Sequence, residues 1–257
     1  MYIDFKRLEE EINELNVSWN SKKPFKYIVI DDFLNCNEAD KILEAFPAID
    51  ESMWNNTTYI NQKNKFVKTE FSNIPIINAV FDEFKSKRLM GILERITEVH
   101  HILPDDELFG AGLHQSIKGA FLDVHVDFNI HPKTGFHRRM NLLVYLNKDW
   151  KTSYNGYLEL WDMDKKEQIE YIEPKFNRAV IFETNEVSFH GHPKPLNTPR
   201  GISRKSLSVY YYTKTRPENE LALEHNTIYA NTQGVSGLFK NLKSALRAAG
   251  ERLIGNR

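Results

Sequence analysis

Between residues 107 and 215 the chain breaks into short runs rich in Val, Ile, Leu, Phe and Tyr. They lie at 120–128, 139–147, 156–163, 168–173, 178–183 and 203–213, each bounded by turn residues. Six such runs at short spacing argue against a parallel α/β sheet, whose strands need long crossovers. They predict a mainly β fold, an antiparallel sandwich or barrel.

The flanks read differently. Residues 4–19 place Leu8, Ile12, Leu15 and Trp19 at helical spacing among charged residues, which predicts an amphipathic helix packed on the outside of the core. After Pro24, FKYIVIDDFL reads as a strand, followed by a helix over about 37–46 that Pro47 stops. Residues 51–68 are polar and Asn-rich, with Trp54 and Tyr59 as an aromatic pair, and predict a long loop. Residues 76–99 are helical again, with Val80, Phe84, Ile92, Ile96 and Val99 facing inward. The segment GLFKNLKSALRAAGERLIGNR aligns Leu238, Leu242, Leu246 and Leu253 on one side of a basic amphipathic helix. Capping the core or pairing with a second copy in a homodimer is preferred for it over resting on an anionic surface. The expected division is an N-terminal flank (1–106), a β core (107–215) and a C-terminal loop and helix (216–257).

Composition narrows the function classes. A chain of 257 residues with 41% hydrophobic content can bury a full core by itself. Lys+Arg 34 against Asp+Glu 35 leaves a net charge of −1, so there is no global positive field to hold nucleic acid. The single cysteine, Cys36, rules out an intrachain disulfide and a thiolate metal cluster, and fits a reducing, cytoplasmic setting. The longest apolar runs are strand-sized, so neither an export signal nor a membrane span is expected.

The chemistry-bearing motif is FLDVHVDFN. His125 and Asp127 lie two apart, so on a strand both side chains leave one face, about 7 Å apart along the backbone. An imidazole and a carboxylate so placed can share a metal. His190 ends AVIFETNEVSFH, where a late strand of the same sheet should stop. Two His and one carboxylate form the facial triad that leaves adjacent metal positions open. In RKSLSVYYYT, Arg204, Ser206 and Ser208 alternate, so a cation and a hydroxyl on one face make a carboxylate clamp.

Taken in order, PFKYIVIDDFL, AGLHQSIKGAFLDVHVDF, LLVYLNKDW, NGYLEL, IEPKFNRAVIF, His190 and SRKSLSVYYYT resemble the Fe(II)- and 2-oxoglutarate-dependent oxygenases. Within that family the resemblance is to the prolyl 4-hydroxylase-like branch, which includes the hypoxia-sensing and ribosomal-protein prolyl hydroxylases, and it covers roughly residues 24–213. It implies a double-stranded β-helix, a jelly-roll relative flanked by helices. It further implies His125, Asp127 and His190 as iron ligands and Arg204 as partner of the distal carboxylate of 2-oxoglutarate. Tyr145 matches a tyrosine that helps hold that carboxylate, and Leu143 and Leu158 match apolar walls of the pocket. The implied cofactors are Fe(II), 2-oxoglutarate and O2, with ascorbate a further candidate. The implied activity is a dioxygenase hydroxylating an unactivated C–H bond. Asp127 supports hydroxylation, because halogenating relatives lack this carboxylate.

The chain departs from the pattern at three places. HGHPKPLNTPRGIS lengthens the stretch between His190 and Arg204, which makes Arg200 a rival for the clamp. Ile117 or Gln115 stands where a tyrosine often precedes the metal-binding strand, and Asn155 replaces the first of two glycines. Among other polar residues, His192 is expected in a loop rather than as a second ligand of a zinc site. His131 and His137, flanking a turn with Pro132 and Gly135, are expected as lid residues. Asp123 is left even between a hydrogen-bond partner behind the ligands and the pocket mouth. Trp54 and Tyr59 either close over substrate or pack on the sheet. The expected substrate is a prolyl residue of a protein or peptide. A free amino acid or other small biosynthetic intermediate is the alternative, and a non-catalytic cupin-like metal-binding module is the alternative from another class.

Overall fold

The computed structural model describes residues 1–49 and 54–230. In chain order these form α1 (Phe5–Ser21), β1 (Tyr27–Ile30), α2 (Cys36–Glu44), β2 (Asn55–Tyr59), β3 (Gln62–Lys68), α3 (Pro75–Phe84), α4 (Lys87–Thr97), β4 (Leu103–Pro104) and β5 (Gly112–Val126). Then follow β6 (His137–Tyr145), β7 (Leu158–Asp162), β8 (Glu167–Ile172), β9 (Arg178–Glu183), β10 (Phe189–His192), β11 (Arg204–Thr213) and β12 (Ile228–Tyr229). The C-terminal amphipathic helix expected beyond residue 234 lies outside the described residues.

The strands hydrogen-bond in the order β1-β9-β6-β11-β5-β10-β7-β8, a curled and antiparallel sheet. Its centre is buried on both faces with a period of two. On β6, Leu142 and Val144 join the cluster beneath the helices, while Leu143 and Tyr145 join a second cluster. On β9, Ala179 and Ile181 go to the first cluster, and Val180 and Phe182 go to the second. The first cluster takes the apolar stripe of α1, including Leu8, Ile12 and Trp19, and the inward faces of α3 and α4. The second, with Leu158, Leu160 and Ile172, lies inside the curl, where the site is found. The expected mainly β fold with flanking helices is what the chain forms. Among the described residues no helix is long and apolar enough to cross a membrane.

Four expectations are corrected. The helical stretch 76–99 is two helices, broken where the Ser86 hydroxyl accepts a hydrogen bond from the Leu89 amide and caps α4. The loop expected over 51–68 holds instead the hairpin β2–β3, whose second strand pairs with β5. Its polarity is misleading because part of the hairpin covers a polar cavity rather than an apolar core. The strand read from 120 begins at Gly112, since LHQSIKG turns polar side chains into that same cavity. His192 is not in a loop: it belongs to β10, a separate short strand formed after the turn at 184–188.

Candidate active site

β5 brings the candidate residues together because it pairs with both halves of the curl. Its first part lies beside β11, with Ser116 opposite Arg204. Its last part lies beside β10, with His125 opposite His190. Between His190 and His192 the register slips: Leu122, three residues before His125, faces His192, so β5 carries one extra residue, a bulge. Gly191 sits against that bulge, where a Cβ would meet the Leu122 carbonyl oxygen at 2.9 Å and the Asp123 oxygen at 3.0 Å. The extra residue lies between Leu122 and His125, so Asp123, two before His125, need not share its face. Asp123 does not line the cavity; its carboxylate accepts from Asn61 Nδ2 at 3.2 Å and its carbonyl from His125 Nδ1 at 2.8 Å. Of the two roles weighed for it, the one behind the ligands is where the structure places it.

His125, Asp127 and His190 offer ligand atoms that all lie within 4.8 Å of one another. His125 Nε2 is 3.6 Å from Asp127 Oδ1 and His190 Nε2 is 3.5 Å from Asp127 Oδ2. His190 Nδ1 donates to the Ser188 carbonyl at 2.9 Å, as His125 Nδ1 does to Asp123. Both rings therefore carry a proton on Nδ1 and turn Nε2 toward the carboxylate, the orientation metal-binding imidazoles need. Burial pushes His190 down to about 4, so it stays neutral. For Asp127 burial acts the other way, but the Arg138 guanidinium beside it leads the attractions that outweigh burial and hold the carboxyl well below its usual range. Arg138 Nη2 and Asn141 Nδ2 donate to Asp127 Oδ2 at 2.9 and 2.8 Å, leaving Oδ1 for a ligand. Arg138 is fixed in turn by the Tyr210 ring, 3.4 Å from its guanidinium carbon, and by Phe128. Two imidazole nitrogens and a carboxylate oxygen converging on one point fit a divalent iron.

Beyond the triad the cavity runs to Arg204 and is walled by Leu143, Leu158, Ser116, Ser206 and His192. Arg204 donates Nε to the Gly156 carbonyl at 2.7 Å and Nη2 to the Tyr145 hydroxyl at 3.1 Å. Gly156 has φ +75°, and a Cβ there would collide with Leu196 and crowd Arg204, so a residue with no side chain is needed. Asn155, standing for the first glycine of the pattern, also takes a positive φ of 58°. Tyr145 is fully buried behind Arg204 and does not itself line the cavity. Arg200 faces a separate groove with Phe46, Pro47 and Ile202. Asp127 is the one carboxylate among the described lining residues, and the buried His192 Nδ1 has no hydrogen-bond partner. A cavity with a guanidinium at one end, the His125, Asp127 and His190 cluster at the other and an orphaned imidazole nitrogen between them suits a dicarboxylate such as 2-oxoglutarate.

A wider cavity of about 320 Å³ opens on the other side of His125 and Asp127. Tyr59, Tyr229, Phe128 and Tyr210 line it, together with Lys65, which also borders the first cavity. The Tyr59 and Tyr229 hydroxyls share a short hydrogen bond across it, and the Tyr229 ring lies 5.5 Å from that of His125. Trp54 instead stacks on Phe46 and donates to the Ala48 carbonyl, so of the aromatic pair only Tyr59 borders this cavity. His131 is no lid residue. It is buried, its Nδ1 accepts from the Lys133 and Thr134 amides, and its Nε2 lies 3.5 Å from Asp105.

Sequence reasoning passed over Lys65, His114, Arg138, Asn141, Tyr210 and Tyr229. Asn141 carried a signal, a lone amide inside the apolar strand MNLLVY, which must find a buried partner. Tyr229 carried none, since only the return of β12 onto β5, with Tyr229 opposite His125, brings it there.

Residues 111–212 match the model of the 2OG-Fe(II) oxygenase superfamily. The prolyl 3-hydroxylase OGFOD1 of Mus musculus is 34% identical over 86 residues, an alignment covering 31% of this chain and 15% of that protein's length. Among solved structures, the prolyl hydroxylase of Trichoplax adhaerens in complex with a hypoxia inducible factor oxygen degradation domain peptide fragment superposes with a TM-score of 0.57 at 15% identity. That superposition covers 80% of this chain and 92% of the other. A prolyl 4-hydroxylase of Phytophthora capsici gives 0.57 at 20% identity, covering 94% of this chain and 76% of its own. The curled sheet is thus the jelly-roll of these proteins. Residues 111–212, the stretch that matches the 2OG-Fe(II) oxygenase model, hold His125, Asp127, His190, Arg204 and every wall of the first cavity except Lys65.

Proposed function

We propose that this chain is an Fe(II)- and 2-oxoglutarate-dependent dioxygenase that hydroxylates a prolyl residue of a protein or peptide. One observation carries the reading: the His125, Asp127 and His190 cluster and the Arg204 guanidinium lie in a single cavity, joined by β5. In it His125, Asp127 and His190 hold iron, and Arg204, with Tyr145 behind it, holds the distal carboxylate of 2-oxoglutarate. When bound, the iron and 2-oxoglutarate supply the oxidising power to break an unactivated C–H bond. The chain's own residues position and insulate. Asn141 and Arg138 keep Asp127 ionised and aimed, Leu143 and Leu158 exclude water, and the wider cavity beside Tyr59 and Tyr229 receives the target residue. The prolyl assignment is supported by OGFOD1, a prolyl 3-hydroxylase, and by the peptide-bound Trichoplax enzyme of the same fold. A reducing, cytoplasmic setting belongs to the same proposal and is supported by the single cysteine. The test is succinate formation with Fe(II) and 2-oxoglutarate, together with a gain of one oxygen in proline-containing peptides read by mass spectrometry in air and under anaerobic conditions. Succinate absent from iron-loaded protein in air would refute the reading.

A further inference from the structure

Lys65 stands on the rim between the two cavities and lines both. It sits opposite Ser116 on β5, which itself sits opposite Arg204 on β11, so Lys65, Ser116 and Arg204 form one row across three strands. Residues directly opposite in a ladder point to the same face, and all three line the first cavity. The other cations of the site are engaged: Arg138 on Asp127 and Asn141, Arg204 on Gly156 and Tyr145. Lys65 has neither an ion pair nor a side-chain hydrogen bond among the described residues. Burial, with Arg204 and Arg138 adding to it against Asp127, pushes its ammonium down to about 8. Half-buried, it stays charged at neutral pH, and a charge partly withdrawn from water without a partner is costly. The two carboxylates of 2-oxoglutarate already have counter-charges in the proposed function, one at Arg204 and one at the metal. The cation left over belongs to something else.

We propose that Lys65 is a specificity residue that binds a carboxylate of the substrate, so that the residue to be hydroxylated is presented beside an acidic group. This rests on the proposed function and names the substrate class within it. The lining of the wider cavity supports it: aromatic rings hold an apolar ring or chain, Asp127 is spent on the metal side, and Lys65 is the unpaired charge among the described lining residues. Lys65 is joined to the site by the hairpin and not by the stretch that matches the oxygenase model, so the choice of substrate is made by a segment outside residues 111–212.

The test uses the full chain loaded with iron and 2-oxoglutarate, and three proline-centred peptide pools whose flanking residues are Glu, Gln or Lys. Binding is read by calorimetry on the anaerobic complex, and hydroxylation by mass spectrometry in air. The Glu pool should bind the wild-type protein about tenfold or more tighter than the Gln pool, the scale of one charge-assisted hydrogen bond. Lys65→Met should erase that preference, Lys65→Glu should turn it toward the Lys pool, and Lys65→Arg should keep it, with 2-oxoglutarate affinity within about threefold throughout. The melting temperature of each variant guards against a folding artefact, and the Lys65→Arg variant shows whether charge rather than shape is read. Equal binding of the three pools, or binding of none, overturns the inference. So does a Lys65→Met variant that loses 2-oxoglutarate instead of peptide, since Lys65 would then serve the cosubstrate. Succinate formed by the wild type in those cases leaves the dioxygenase reading standing while this one falls.

Discussion

At the scale of single residues, the site is a set of charges whose cost is met by specific partners. Arg204 is buried, reaches the cavity from β11 and is held by a carbonyl and a hydroxyl, whereas Arg200 faces another groove. A charge-assisted pair with a carboxylate is worth roughly 1.5–3 kcal/mol, so Arg204→Ala should weaken 2-oxoglutarate binding about 10- to 150-fold. Tyr145→Phe removes one hydroxyl that touches the arginine, and should cost about 1 kcal/mol, near fivefold. Arg200→Ala should leave binding unchanged. Calorimetric titration of the three variants decides this, and a larger loss at Arg200 would unseat Arg204. Arg138 is a different case, because it touches Asp127 rather than any ligand of its own. Arg138→Met should lower iron affinity about 10- to 100-fold by leaving the carboxylate with one donor fewer, with the fold retained; a competitive metal titration reads it. The HxD pair and His190 were legible because strand alternation and sequence order suffice to propose them. Arg138 was not, because an arginine in a β run gives no sign that it will be stacked on Tyr210 and buried to 1% exposure.

At the scale of elements, the site depends on the short contact between β10 and the bulged half of β5. The strand runs of the core were readable from apolar composition, since β6 and β9 are buried on both faces and read as continuous hydrophobic segments. The hairpin β2–β3 and the first half of β5 were not, because their side chains face polar space and show neither strand nor helix patterning. The bulge was equally hidden: only the pairing of His192 with Leu122 discloses it. Gly191 makes that pairing possible, with three backbone atoms of β5 at 2.9 to 3.0 Å from where its Cβ would stand. Backbone cannot yield as a flexible side chain can. Gly191→Ala should therefore push β10 from β5, cost about 1–3 kcal/mol as an overpacked site does, and carry His190 away from Asp127. Loss of iron affinity beyond the loss of melting temperature is the expected signature. A variant with wild-type metal binding and stability would show that β10 tolerates the displacement.

At the scale of the whole molecule, the N-terminal flank is built onto the back of the curl, and its amphipathic α1 was plain in the sequence because one stripe of apolar residues had to find a surface. What ties it in place was not plain, since charged partners far apart in sequence leave no pattern. Arg178, at the start of β9, grips Asp31, just beyond β1, through Nε to Oδ1 at 2.6 Å and Nη2 to Oδ2 at 2.9 Å, and Lys175 adds a third contact at 3.0 Å. Arg7 of α1 donates to the Asp31 and Asp32 carbonyls at 2.7 Å, so helix, turn and sheet meet at one point. The Arg178 hydrogen bonds, against some burial, lower Asp31 from an ordinary 3.8 to about 2. A carboxyl lowered on folding stabilises the native state above its unfolded pKa, and the contribution is lost as pH falls through the folded one. Because the Asp31 side chain is 42% exposed, solvent screening reduces the full linkage value to about 1 kcal/mol. Asp31→Asn should then be less stable than wild type by about that amount at pH 7, and the gap should close between about pH 4 and pH 2, where the wild type also loses the charge. Denaturant unfolding of both proteins across that range measures it. A gap that stays constant down to pH 2 would mean that Asp31 acts through its shape and not through its ion pair with Arg178.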